Sequence, residues 1–233
     1  MAETILQTRD LSRRFGALAA VDSVSLAFER GRVHAVIGPN GAGKSTFLNV
    51  LSGELRPTSG SVSYRGIDIT RAPPERISRL GIGRSYQTAN VFSDRTCAEC
   101  VWLAAHAHQR EGSDALLLCG LADRSAALAG QLSYGEQRQL EIAMILATGP
   151  GLLLLDEPLA GLGHDEAARI LELLRRLAKD HTLVLVEHDM DAVFSIAEVI
   201  TVLVNGRVLE TGAPAQIRRS PAVREAYLGS ELP

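Results

Sequence analysis

Three short apolar runs limit the fold of this 233-residue chain more than any other feature. They are "VHAVIG" at 33–38, "LLLLDE" at 152–157 and "TLVLVEH" at 182–188. Short runs that are apolar along their whole length are typical of strands buried on both faces of a parallel sheet. Between the second and third lies "HDEAARILELLRRLAKD", in which Ala168, Leu171, Leu174 and Ala178 recur at helical spacing. The pattern predicts a βαβ unit and an α/β fold.

The remaining segments predict how this core is extended. A helix over about 190–197 is followed by "VITVLV" and "RVLETG", and the Asn205-Gly206 pair between them is typical of a tight hairpin. Near the start, "TILQTRDL" and "VDSVSLAF" predict strands separated by "SRRFGALAA". Residues 88–149 are rich in Ala and Leu and predict helices. We therefore predict a single domain over 1–233, with a mixed-sheet core (1–87 and 150–233), an N-terminal antiparallel β portion and an inserted helical subdomain (88–149).

Composition excludes several classes of protein. Hydrophobic residues make up 46% of the chain and charged residues 22%, as in ordinary folded domains. Its apolar runs fall short of the roughly 18–20 residues that cross a bilayer, and the start "MAETILQTRD" has no secretory pattern. We therefore expect a cytosolic protein. The net charge of −3 and the single basic pair Arg13-Arg14 argue against nucleic acid as a partner.

A CxxC pair, Cys97 and Cys100, is followed by His106 and His108. In a helix, His106 would lie about 9 Å along the axis from Cys100, and the two histidines would point to different faces. Four zinc ligands therefore cannot converge. A redox CxxC would be expected directly after a strand in a thioredoxin-like unit, which this segment does not resemble. We interpret both cysteines as small packing residues.

The stretch "GPNGAGKST" at 38–46 matches G-x-x-x-x-G-K-[ST] between a predicted strand and the helical run "TFLNVLS". Glycines let the backbone wrap closely around phosphates and present N–H groups at the start of a helix. In such a loop, the lysine reaches the β- and γ-phosphates and the serine hydroxyl binds Mg²⁺. The nucleotide-contacting residues predicted here are Gly38, Asn40, Gly41, Gly43, Lys44, Ser45 and Thr46.

The phosphate-binding loop contains no acidic residue, and two carboxylates at the end of "LLLLDE" supply the acidic groups. Asp156 ends a buried apolar strand, where a carboxylate can hold Mg²⁺ together with Ser45. Glu157 leaves the strand in a different direction and can polarise an attacking water. We predict Asp156 as a metal ligand, and Glu157 and Lys44 as catalytic residues.

Four further stretches, "SYQT", "QLSYGEQRQLEIA", "DEPLAGLG" and "VLVEHDM", accompany the phosphate-binding loop. Together they resemble the nucleotide-binding subunit of ABC transporters, in that family's order and spacing and across nearly the whole chain. The resemblance implies an ABC ATPase fold built on a P-loop NTPase core. It also implies ATP hydrolysis with ATP and Mg²⁺ as ligands.

The resemblance also implies roles for individual residues. Phe15 resembles the aromatic that stacks on adenine. Gln87 resembles the glutamine that links the γ-phosphate and its metal to the transport subunits, and His188 resembles the switch histidine. Ser133 and Gly135 resemble the signature residues that meet the γ-phosphate of ATP held by a second subunit.

The chain departs from the family pattern at four positions. Tyr134 and Glu136 stand where the signature usually has glycine and glutamine, and Phe15 lacks the hydroxyl of the usual tyrosine. Because Ser133 and Gly135 are kept, we expect the phosphate contact to be kept. Gly163 replaces a common aspartate and removes a carboxylate contact across the dimer.

The implied assembly is a pair of ATPase subunits, identical or paralogous, on the inner face of a membrane. Its expected partners are integral membrane permease subunits and an extracytoplasmic solute-binding protein. Two subunits clamp two ATP molecules, and closure and reopening drive the permease. The stretches "GIGRSYQTANVF", "EQRQLEIAMILATGPGLLLLDEPLAGL" and "VREAYLG" resemble the branched-chain and hydrophobic amino-acid uptake subfamily, with its urea-transporting relatives.

One alternative function stays open at this point. The chain could instead act as a cytosolic ABC ATPase in assembly, such as iron-sulfur cluster biogenesis. Within the transporter interpretation, residues after Gln87 are expected to receive a coupling helix from each permease subunit. Phe92 is the predicted contact, whereas Val101 and Trp102 are predicted to pack inside the helical subdomain.

Overall fold

The computed structural model describes residues 3–110 and 114–227, which form two β-sheets flanked by helices. The strands are β1 (Thr4–Phe15), β2 (Leu18–Val24), β3 (Ala27–Glu29), β4 (Val33–Ile37), β5 (Ser59–Tyr64), β6 (Ile67–Asp68), β7 (Ile82–Arg84), β8 (Leu152–Asp156), β9 (Thr182–Val186), β10 (Val199–Val204) and β11 (Arg207–Gly212). The helices are α1 (Lys44–Leu51), α2 (Pro74–Arg79), α3 (Cys97–Ala107), α4 (Ala115–Leu118), α5 (Tyr134–Ala147), α6 (His164–Leu177), α7 (Met190–Ile196), α8 (Pro214–Arg219) and α9 (Pro221–Tyr227).

The larger sheet has the order β11-β10-β4-β9-β8-β7, parallel throughout except for β11. Its strands β4, β8 and β9 are the three apolar runs, and every residue in them is buried. Side chains alternate between faces, so Leu152 and Leu154 pack with α1 and the smaller sheet, whereas Leu153 and Leu155 pack with α3, α5 and α6. The predicted mixed-sheet α/β core is confirmed.

The smaller sheet is antiparallel and has β1 at its centre, paired with β2, β3 and β5. The predicted N-terminal β portion is confirmed, but the break expected over "SRRFGALAA" is wrong. β1 continues to Phe15 and β2 begins at Leu18, because a turn with Gly16 at φ 59° is enough to reverse the chain. Register shifts on both sides of Arg13 keep this solvent-facing end of β1 paired.

Two predicted elements can be compared residue by residue. The hairpin between β10 and β11 turns at Asn205 and Gly206, with φ values of 48° and 77°, as predicted. Helix α6 is also confirmed, but its buried face differs from the predicted one. The buried side chains are Ile170, Leu173, Leu174 and Leu177. Ala168 is exposed because the stripe that meets the sheet follows the larger residues.

Helices α3, α4 and α5 lie within 88–149, although the division of the chain into two subdomains remains a prediction. Cys97, Cys100 and Cys119 are buried among the apolar residues of this region. In residues 3–110 and 114–227 no three His, Cys, Asp or Glu side chains are grouped to hold a metal ion. Within the same residues no helix has the length and apolar character needed to cross a membrane. The last two residues of "VREAYLG" lie outside the described part of the chain.

Candidate functional site

The candidate site lies where parallel strands of the larger sheet end. The phosphate-binding loop follows β4, Asp156 ends β8, and Glu187 and His188 follow β9. Because parallel strands point the same way, their carboxyl ends lie together, and all these groups are at the carboxyl-terminal end of the sheet. Ligands of open α/β sheets bind in the crevice at this end.

The loop between β4 and α1 is shaped by two neighbouring strands. A Cβ on Gly43, where φ is 98°, would lie 2.0 Å from the carbonyl oxygen of Ala20 in β2. A Cβ on Gly38 would lie 2.1 Å from the carbonyl oxygen of Leu203 in β10. Only glycine fits at either position. Asn40 and Gly41 form the exposed tip, where phosphates can reach the backbone.

Lys44 is the first residue of α1 and its ammonium lies across this loop. Nζ donates to the carbonyl oxygens of Gly38, at 2.7 Å, and Pro39, at 3.1 Å. Burial lowers the pKa of Lys44, while the carboxylates of Glu157 and Asp156 oppose that shift. The positive charge is therefore held at the mouth of the loop, beside the N-terminal end of α1 and its half-buried Ser45 and Thr46.

Asp156 is buried and both its oxygens have partners. Ser45 Oγ donates to Oδ1 at 3.4 Å, and Arg84 Nη2 donates to Oδ2 at 3.2 Å. The same nitrogen of Arg84 also donates to Asn49 Oδ1 in α1 at 2.6 Å. Burial raises the pKa of Asp156, although the Arg84 guanidinium lowers it. The hydroxyl and carboxylate oxygens of Ser45 and Asp156 are ligands that Mg²⁺ prefers, so this pair fits the expected metal.

Glu157 begins the loop between β8 and α6 in a strained backbone conformation, with φ at 48°. Its N–H donates to the carbonyl oxygen of Val186 at 2.8 Å, which fixes it beside the end of β9. Two residues later, the N–H of Leu159 donates to the buried carboxylate of Glu187 at 2.8 Å. Glu187 also accepts the N–H of His188 at 3.0 Å, and burial raises its pKa. Glu187 thus ties the two loops together and leaves the His188 side chain 65% exposed.

Gln87 has an exposed side chain on a segment held by α5. Arg138 donates to the carbonyl oxygens of Tyr86 and Gln87, and to Glu141 Oε2 at 2.7 Å. Glu141 Oε1 accepts the N–H of Tyr86 at 3.2 Å and that of Asn90 at 3.5 Å. Arg138 and Glu141 are both buried. This ion pair therefore fixes the backbone on both sides of Gln87.

The other predicted residues lie at the starts of helices or at a strand end. Ser133 caps α5, and its Oγ donates to Glu166 Oε1 in α6 at 3.1 Å. Gly135 lies in the first turn of α5, under the same carboxylate. Phe15 ends β1 with 45% of its surface exposed, and the guanidinium of Arg13 lies 4.5 Å from the ring centroid.

Two predictions about the helical region have different outcomes. Val101 is buried, as predicted, but the packing predicted for Trp102 is wrong because 59% of its surface is exposed. Trp102 stacks on His106 one turn later, with ring centroids 4.8 Å apart. Phe92 is 47% exposed. Both aromatic side chains therefore remain accessible on this part of the chain.

Several residues that organise the site were not predicted from the sequence: Arg84, Arg138, Glu141, Glu166 and Glu187. A local signal existed for one pair, since Arg138 and Glu141 stand three residues apart, a spacing at which helix side chains meet. The Ser133-x-x-Glu136 spacing likewise indicates a capping box, which forms with distances of 3.2 Å and 2.9 Å. Arg84, Glu166 and Glu187 act through contacts distant in sequence.

Comparison with known proteins agrees with this geometry. The family model "ABC transporter" matches residues 21–160, and the model "Branched-chain amino acid ATP-binding cassette transporter" matches residues 207–232. The high-affinity branched-chain amino acid transport ATP-binding protein BraF of Pseudomonas aeruginosa is 38% identical, covering 98% of this chain and 99% of its own length. LivG of Escherichia coli, a protein of the same description, is 36% identical over the same shares.

A solved structure is similar over the whole fold. The ADP conformation of MJ1267, an ATP-binding cassette of an ABC transporter, has a TM-score of 0.88 and 29% identity, and the match covers 98% of this chain and 100% of that one. Together with the loop at 38–46, the carboxylates of Asp156 and Glu157 at the end of β8 and the full-length relatives, this similarity shows the family. The chain belongs to the ABC transporter family, as an ATP-binding subunit with ATPase activity.

Proposed function

We propose that this chain energises the uptake of branched-chain amino acids as an ATP-hydrolysing subunit of an importer. The observation that carries the substrate class is the match of residues 207–232 to the branched-chain family model, because it is independent of the ATP-binding motifs. The relatives BraF and LivG, similar over their full lengths, support the same substrate class. The remaining partners are a second ATPase subunit, membrane permease subunits and an extracytoplasmic solute-binding protein, with this chain peripheral to the inner face of the membrane.

The proposed roles follow from where the side chains lie. Lys44 and the loop backbone hold the β- and γ-phosphates, and Ser45 and Asp156 hold Mg²⁺, which neutralises phosphate charge when bound. Glu157 polarises water, His188 and Gln87 act at the γ-phosphate, and Gln87 also approaches the metal. Phe15 stacks on adenine. Ser133 and Gly135 complete the site of the second subunit, so neither chain hydrolyses ATP well alone.

Glu157→Gln tests the catalytic part of this proposal. The amide keeps the shape of the side chain but cannot act as a base, so we expect ATP binding to persist, turnover to stop and an ATP-dependent dimer to accumulate. Size-exclusion chromatography with and without ATP measures the dimer. Glu172→Gln, an exposed change on α6, is the control and should behave like the parent. A Glu157→Gln chain that stays monomeric and hydrolyses ATP normally would refute the role.

Uptake in cells tests the substrate class. Loss of this chain should abolish uptake of labelled leucine, isoleucine and valine, and leave sulfate uptake unchanged. Sulfate is the informative control, because identity alone does not separate the two substrate classes. A sulfate/thiosulfate import ATP-binding protein of Chromobacterium violaceum is 37% identical to this chain, close to the values for BraF and LivG. Unchanged leucine uptake with loss of sulfate uptake would contradict the proposal.

A further inference from the structure

The hydroxyl of Ser133 both accepts and donates a hydrogen bond within its own chain. Its oxygen accepts the N–H of Glu136 at 3.2 Å, as part of the capping box of α5. Its only proton is donated to Glu166 Oε1 at 3.1 Å. A phosphate oxygen can bind this hydroxyl only by accepting the same proton. Binding to phosphate and binding to Glu166 therefore exclude one another.

The carboxylate of Glu166 also covers the neighbouring glycine. A Cβ built on Gly135 would lie 2.6 Å from Glu166 Oε1 and 2.7 Å from its carboxyl carbon. The acidic group thus lies directly against the first turn of α5, at the positive end of a 14-residue helix. It hydrogen-bonds to Ser133 and fills the space where a Gly135 side chain would lie, beside the two residues that are proposed to meet a phosphate.

Glu166 is in turn connected to the catalytic loop. It lies in the first turn of α6, and its Oε2 accepts the N–H of Gly163 at 3.4 Å. Gly163 ends the loop that begins with the strained Glu157. A movement that withdraws the carboxylate from α5 therefore also acts on the loop that carries Glu157.

We propose that Glu166 is an internal substitute for the γ-phosphate: its carboxylate occupies the anion position of the signature in the unpaired chain and must leave when a second chain delivers ATP. The inference rests on the proposed function, because it takes the signature to be the phosphate contact. It adds an autoinhibitory contact that opposes pairing until ATP replaces the carboxylate. Negative charge at Glu166 thereby raises the ATP concentration needed for pairing.

The test measures ATP-driven dimerisation of the Glu157→Gln chain by sedimentation velocity across an ATP titration. Glu166→Ala removes the competing group and should lower the ATP midpoint about tenfold, since a hydrogen bond to a charged group is lost only from the unpaired state. Glu166→Gln keeps a weaker neutral acceptor and should lower the midpoint by a smaller factor. Asp165→Asn removes the same charge one residue earlier, at an exposed position, and should leave the midpoint unchanged.

The outcomes separate the inference from the proposal beneath it. The reference for these comparisons is the Glu157→Gln chain with no second change. If this reference chain does not dimerise with ATP, the proposed pairing is refuted, and the inference about Glu166 is refuted with it. If the reference chain dimerises, an unchanged or raised midpoint in Glu166→Ala overturns the competitor role alone. An equal shift in Asp165→Asn also overturns it, because it would indicate a general charge effect. Monomer affinity for a fluorescent ATP analogue should be the same in all variants, which checks that the phosphate-binding loop is intact.

Discussion

Arg138→Met would remove the cation that holds the segment around Gln87. The guanidinium is completely buried, and it donates to two backbone carbonyl groups and to Glu141, which is itself only 4% exposed. Removing one partner of a buried pair costs about 3–5 kcal/mol, because the other charge stays buried. We expect the lower end of this range, because Glu141 keeps two backbone N–H donors. Burial also raises the pKa of Glu141, which favours its neutral form.

A loss of about 3 kcal/mol corresponds to a fall in melting temperature of about 6–12 °C for a chain of this size. Thermal unfolding followed by circular dichroism, without nucleotide, measures it. Arg124→Met is the matched control: the same substitution breaks an ion pair with Glu136 at 3.0 Å, but Arg124 is 57% exposed. Exposed pairs contribute about 0–1 kcal/mol, so the control should barely change the melting temperature.

A double variant identifies the cause of the loss. Arg138→Met with Glu141→Gln has no buried charge at these two positions and keeps an oxygen to accept the N–H groups of Tyr86 and Asn90. It should recover about 1–2 kcal/mol relative to Arg138→Met alone, while the two unpaired carbonyl groups account for the remainder. The reasoning is refuted if Arg138→Met is no less stable than Arg124→Met, or if the double variant is no more stable than Arg138→Met.

Three other changes test separate parts of the molecule. Lys44→Ala should abolish ATP hydrolysis, because its ammonium is the charge that we propose to contact the β- and γ-phosphates; near-normal hydrolysis by the purified variant would contradict this. Phe92→Ala should keep nucleotide affinity but reduce co-purification with membrane subunits, since the side chain is 47% exposed. An equal reduction in Leu117→Ala, which is 67% exposed on α4, would argue against a specific contact. The Cys119 thiol should resist alkylation at about pH 8 in the native chain, because burial raises its pKa to about 12. Mass spectrometry would disprove this if native and urea-unfolded chains were labelled equally fast.

The elements predicted best are those whose sequence is dictated by burial on both sides. β4, β8 and β9 could be located from their unbroken apolar runs, because only a buried strand tolerates such composition. β5 was not predicted, since "SGSVSY" contains three serines and a glycine, and its pairing partner β1 supplies most of the order. The local strand signal is limited to the short alternation over 61–64, in which Val62 and Tyr64 are the buried residues.

The site shows the same division between local and long-range information. The loop at 38–46 is recognisable because glycine is required at Gly38 and Gly43 by backbones that lie close in space. The contact of Glu166 with Ser133 gives no local signal, because the two residues are 33 positions apart in sequence. Trp102 was predicted to be buried although it is exposed. Its size and its position inside a helix favour burial, but the local sequence does not show which face of α3 packs against the core.

The support of the phosphate-binding loop has a consequence for how the chain is made. β4, which leads into the loop, lies between β9 and β10, and Gly206 donates its N–H to the carbonyl oxygen of Ala42 at 3.0 Å. β4 and the loop are synthesised early, but β9, β10 and Gly206, with which they pair, are synthesised near the end. Contacts between residues so far apart in sequence form slowly. A nascent chain, or one ending before β10, holds the complete loop sequence and β2 but lacks β10, one of the two strands that shape the loop. We therefore expect nucleotide binding to begin only when synthesis is nearly complete, and a product that ends before β10 to bind ATP more weakly than the finished subunit.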